Sequence, residues 1–138
     1  MRWLIFLGGI FSCFSKSDCL AGLLCLKLKD PQKAKVFFEK GAKDGDPVAM
    51  KALADSYLTG HGIEKNPTKA LIWYVISADL GYGPAQLTLG FILKNGEAIV
   101  KNTQLSTYYF KKAMNNKTLE LPQKKIAQEK LNCCILDK

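Results

Sequence analysis

The chain repeats itself every 36 residues. Ala49, Leu53, Gly60, Asn66, Trp73 and Tyr74 return as Ala85, Leu89, Gly96, Asn102, Tyr109 and Phe110. Counted backwards, Pro67, Ala70, Trp73, Tyr74, Ala78 and Gly81 fall on Pro31, Ala34, Phe37, Phe38, Ala42 and Gly45. A fixed interval of this length marks a stacked repeat architecture. One unit is too small to bury its own apolar face, so its neighbours complete the core.

Local signals divide each unit into two helices. Asp30-Pro31, Asp46-Pro47 and Asn66-Pro67 are polar-plus-proline starts, and proline at the first helical position loses no hydrogen bond. Gly45, Gly81 and Gly96 mark stops, and Gly83-Pro84 makes the next helix begin afresh. The spacing predicts helices over 17–28, 31–43, 47–58, 67–80, 84–93, 103–115 and 122–136. Asp18 is placed to cap the first of them. Asn115 to Leu121 reads as a polar spacer, and 122–136 as a terminal cap with Lys124, Lys125 and Lys130 facing water. Ala49, Ala54, Ala85 and Gly90 allow close helix packing, and the aromatic pairs at 37–38, 73–74 and 109–110 fill the space between units. The units are 17–45, 46–81 and 82–117, within one domain spanning 16–138.

The middle unit reads Ala49-x3-Leu53-Ala54-x2-Tyr57-x2-Gly60-x-Gly62-Ile63, then Lys69-Ala70-x2-Trp73-Tyr74-x2-Ser77-Ala78-x2-Gly81. This run resembles the Sel1-like repeat, a relative of the tetratricopeptide repeat. With its neighbours the resemblance covers 17–113. The unit from Ala85 departs from the pattern: Asn95-Gly96-Glu97-Ala98 lacks the second glycine, and no proline opens its second helix. The resemblance implies an all-α solenoid of about three helical hairpins plus a C-terminal capping helix. It also implies a non-enzymatic protein–protein interaction scaffold or adaptor of the bacterial envelope. An immunity protein that neutralises a secreted effector is one specific form of that role. The alternative is a cell-wall or β-lactam-related hydrolase of the cysteine-rich Sel1-like type, whose regular cysteine spacing is missing here.

In related hairpin solenoids the first helix of each unit lines the partner-binding surface. Taking the positions two before, two after and five after Leu53 and Leu89 selects Lys51, Asp55 and Leu58, then Leu87, Phe91 and Lys94. The first unit supplies Cys19, Leu23 and Leu26. These residues predict a groove with an apolar floor and charged edges, with Phe91 as its anchor. The competing expectation is that Leu87 and Phe91 complete the core.

The remaining signals bound the chemistry. A net charge of +8 is spread over lysines, with Arg2 the sole arginine. Nucleic-acid readers use arginine and clustered aromatics, so solvated helix faces account for the charge and no nucleic-acid partner is expected. Met1-Arg2 precedes a run from Trp3 to Phe14 without a charge. That run is shorter than the ~20 residues that span a membrane and fits an export leader over 1–14. Cleavage after Ser15, or acylation of Cys13, would place the protein in the periplasm or on a membrane; the alternative is a retained segment in a cytoplasmic protein. His61 has no partner that suggests catalysis, and no metal or cofactor is expected. Cys19 and Cys25 lie six apart on one helix, about 9 Å along its axis and beyond disulfide reach. Cys133 and Cys134 are adjacent. All four read as buried thiols or, less often, as intermolecular links, which weighs against an oxidising compartment.

Overall fold

The computed structural model describes residues 18–96 and 99–136. The expected leader at 1–14 and Cys13 lie outside the described residues. The chain runs through α1 (residues 18–27), α2 (Pro31–Lys43), α3 (Pro47–Thr59), α4 (Pro67–Asp79), α5 (Gly83–Asn95), α6 (Thr103–Met114) and α7 (Leu121–Leu136). There is no strand among the described residues. The fold is an all-α repeat solenoid.

Capping explains the starts. Asp30, Asp46, Asn66 and Asn102 accept from the backbone N–H of Lys33, Val48, Lys69 and Leu105 at 3.1, 3.0, 3.0 and 2.9 Å. Each bond satisfies a donor that the first helical turn leaves free. Gly60 and Gly96 end α3 and α5 with φ of +82° and +71°, a region that side chains resist. Asp18 is already helical, and its carboxylate takes Lys40 Nζ at 3.0 Å rather than serving as the expected cap.

Helices adjacent in sequence pack on one another from α2 to α7. The core is accordingly a series of three clusters. The first holds Cys19, Phe38, Met50 and Leu53; the second Ala54, Tyr74, Ala85 and Leu89; the third Phe110, Ala127, Leu131 and Cys134. Trp73 packs against both the first and the second. Phe38, Tyr74 and Phe110 are fully buried at the repeat interval. A Cβ at Gly22 would stand 2.5 Å from the Phe38 ring, and one at Gly90 2.7 Å from Phe110, so both glycines are needed for close approach.

Two expectations at the C-terminal end need correction. Asn115 to Leu121 is more than a spacer. Asn116 Nδ2 donates to the Gly81 carbonyl at 2.8 Å and to Gln86 Oε1 at 2.9 Å, Gly83 N–H donates to Thr118 Oγ1 at 2.9 Å, and Leu119 is buried. The segment clasps the turn between the second and third units. Of the α7 lysines, Lys130 does not simply face water: its Nζ lies over the Phe91 ring, 6.0 Å from the centroid. A cation is drawn to the negative face of a ring at this range.

Candidate partner-binding face

Lys51, Asp55, Leu58, Leu87, Phe91 and Lys94 are all half-buried. Lys51 Nζ pairs with Asp55 at 2.8 Å, one turn along α3. The Tyr74 hydroxyl, reaching from α4, donates to the same carboxylate. Burial, and then the charge of Asp55, push the Tyr74 phenol well above its ordinary range. In the next unit Leu87 and Phe91 pack against the third core cluster, and Phe91 meets Phe110 edge-on at 5.3 Å and 86°.

Two cavities open along this face. The larger, about 620 Å³, lies between α3 and α5; Leu58, Thr59, Lys65 and Pro67 line it from one side of the sequence, and Thr88, Phe91, Ile92 and Asn95 from α5. The smaller, about 360 Å³, lies between α1 and α3, lined by Leu23, Leu26, Ala52, Asp55, Ser56 and His61, and shares Thr59 with the first. They are one feature repeated. Ala52, Asp55, Ser56 and Thr59 stand 36 residues before Thr88, Phe91, Ile92 and Asn95. Leu26 and Leu58 differ by 32, which allows for the shorter first loop.

Leu58 and Phe91 thus share one cavity, and Asp55 joins Leu23 and Leu26 in the other. Lys51, Leu87 and Lys94 do not line either cavity. Cys19, expected on this surface, is buried in the first core cluster. It occupies the position of Lys51, whose side chain is only 22% exposed. The position faces inward. A lysine stem escapes it by extending to Asp55, whereas a cysteine stays beneath. The three-position rule missed Ala52, Ser56, Thr59, Thr88, Ile92 and Asn95. The signal for them was present: 52, 55, 56, 59 and 88, 91, 92, 95 are i, i+3, i+4, i+7 stripes, one face of a helix.

The buried serine hydroxyls are held by the fold. Ser56, Ser77 and Ser106 donate to the carbonyls of Ala52, Pro47 and Gly90 at 3.0, 2.6 and 2.8 Å. Cys19, Cys25, Cys133 and Cys134 are free thiols. Burial, with Asp46 nearby, pushes Cys19 from 9.0 to about 11, so it is protonated and unreactive at neutral pH. Among the described residues no group of three His, Cys, Asp or Glu side chains is placed to hold a metal ion. No described helix is long and apolar enough to cross a membrane.

The Sel1 repeat family model matches residues 19–46, 47–82 and 83–116. The chain belongs to the Sel1 repeat family. Sel1 repeats generally mediate protein–protein interactions. An uncharacterised protein of Neisseria meningitidis serogroup B is 32% identical over 102 residues, which is 74% of this chain and 22% of that protein. The chitin synthase regulator SKT5 of Saccharomyces cerevisiae is 32% identical over 82 residues, 58% of this chain and 12% of the regulator. This Sel1 chain therefore spans under a quarter of the length of either relative. A solved protective antigen of uropathogenic Escherichia coli superposes with a TM-score of 0.74 at 25% identity, over 88% of this chain and 28% of the antigen.

Proposed function

We propose that this Sel1 chain is a non-enzymatic adaptor that holds a segment of a partner protein across α1, α3 and α5. One observation carries the reading: the same helical stripe lines a cavity at each of two successive unit boundaries. Recurring clefts along a rigid solenoid suit a segment that inserts side chains at repeated intervals. SKT5 is by its name a regulator of an enzyme, which agrees with an adaptor role here. A photo-crosslinking residue at Thr59 or Asn95, both exposed beside the cavities, should capture a partner from native cell extract. The same residue at exposed Ile72 on α4 should not. Capture from Ile72 alone would place the partner on the opposite helices and end this reading.

Export and tethering belong to the same proposal, supported by the charged start and uncharged run of the leader. Envelope location would suit an adaptor that neutralises a secreted effector. Intact mass of the native protein tests it. A chain starting at Cys13 with an acyl adduct is expected; a start at Lys16 keeps export without the anchor, and an unmodified start at Met1 rejects both.

A further inference from the structure

The two cavities repeat in position but not in the charge of their lining. Between α1 and α3 the wall carries Asp55, whose charge is already matched by Lys51 at 2.8 Å and by the Tyr74 hydroxyl. One unit later Leu87 and Phe91 replace Lys51 and Asp55. The larger cavity therefore has the Phe91 ring beside Leu58 and Ile92 where the smaller has Asp55, and none of its lining residues is acidic. Lys65 lines it, Lys130 Nζ lies over the Phe91 ring, and Lys94 follows Phe91 on the last turn of α5. The ion pairs among the described residues use Lys33, Lys35, Lys40, Lys51 and Lys112, and none of these three. Glu97, which follows α5 in sequence, lies outside the described residues.

We infer that the cleft between α3 and α5 accepts an acidic segment of a partner protein, with an aliphatic or aromatic side chain in the cavity and carboxylates beside Lys65, Lys94 and Lys130. This rests on the proposed partner-binding face and adds the chemistry of its occupant. An apolar anchor displaces water from Leu58, Phe91 and Ile92. Flanking carboxylates meet cations that no described carboxylate matches, which steers encounter and sets register. A nucleic acid would use the cations but leave Leu58, Phe91 and Ile92 uncovered.

The test selects a displayed library of random dodecapeptides on the full chain. The best sequence is then measured by fluorescence anisotropy against variants that keep wild-type circular dichroism. Asp and Glu flanking Phe, Leu or Ile should be enriched. Combined Lys65→Glu and Lys130→Glu should weaken that peptide about tenfold, as expected for losing and reversing two exposed charge contacts. Added salt should weaken it as well. Asn95→Trp, which fills the cavity mouth, should abolish binding.

Neutral or basic peptides that still need the open cavity would overturn the acidic occupant and leave the partner-binding face standing. Binding that survives both Asn95→Trp and Thr59→Trp would remove the face itself. A labelled single-stranded oligouridylate that displaces the peptide and binds more tightly would assign the cations to nucleic acid. Failure to enrich any peptide would also overturn the proposal.

Discussion

The Tyr74 hydroxyl and the Asp55 carboxylate, on α4 and α3, are hydrogen-bonded to each other in the middle unit. The same two positions in the next unit are Phe110 and Phe91, two rings in edge-on contact at 5.3 Å. The slot is geometrically the same and is filled by two chemistries. A ring with a hydroxyl faces an acceptor; a ring without one faces another ring. Either combination avoids a buried polar group without a partner, which costs about 1–3 kcal/mol. This choice also puts a carboxylate in the lining of one cavity and an aromatic ring in that of the next.

A double-mutant cycle tests the pair. Tyr74→Phe should cost about 1 kcal/mol, and Asp55→Ala about 1–3 kcal/mol, because the second strands the hydroxyl. The double variant should cost less than the sum, since the cost of stranding the hydroxyl disappears while the loss of the Lys51 pair is common to both Asp55 variants. Urea unfolding gives all four stabilities. Strict additivity would mean that the two groups do not interact.

Gly62 should tolerate alanine less well than Gly45. Both have positive φ, +73° and +86°, so each substitution carries left-handed strain of about 1–2 kcal/mol. A Cβ at Gly45 meets nothing within 4 Å, whereas one at Gly62 would run into the Pro31 carbonyl. That backbone opens α2 and has no flexible end to move aside. Gly62→Ala should therefore melt well below Gly45→Ala. Equal melting temperatures would mean that the Gly60–Gly62 turn does not rest on the first unit.

Asn116→Ala should cost about 1–3 kcal/mol, although the residue sits in a loop. It removes two donated bonds and leaves Gln86, 3% exposed, without its oxygen's partner. The loss should show as faster amide exchange at the start of α5. Thr118→Ala removes two side-chain bonds, one accepted from Gly83 and one donated to Asn116 Oδ1, against the four that Asn116 makes, and should cost less. Wild-type melting of Asn116→Ala would reduce the clasp to an incidental contact.

The difference between Asn66 and Asn116 shows what could be read from the chain. Asn66 caps its helix by bonding the N–H three residues on, and the following proline announces it. Helix starts and stops are local in this way, so the element boundaries were legible to within two residues. Asn116 bonds partners 35 and 30 residues earlier. Its polarity suits a solvated spacer equally well, and only the stacked units bring Gly81 and Gln86 to it. The cavity lining was legible in part for a related reason. The repeat interval located the helices, but the width of the stripe depends on how far apart neighbouring first helices stand. Phe91 packs on Phe110, as the core expectation has it, and also lines the cavity.

Stability should fall on the alkaline side. Burial raises Cys19, Tyr74, Tyr82 and Tyr109, with the charges of Asp46, Asp55 or Asp79 adding in the same direction. Each group then holds its proton more tightly in the folded chain than in the unfolded one. As pH rises the unfolded chain releases protons first and binds fewer than the native state, so the unfolding free energy decreases with pH. The contribution is complete below the unfolded values, about 9 for the thiol and about 10 for the phenols. It begins to be lost near pH 9.0 and continues as Cys19 approaches its folded value of about 11. The tyrosines make the slope steeper above about pH 10. Urea midpoints in a pH series should follow this course, and Tyr74→Phe should flatten it above the phenol range. A midpoint that stays level to the folded value of Cys19 would mean that these side chains reach solvent in the native protein.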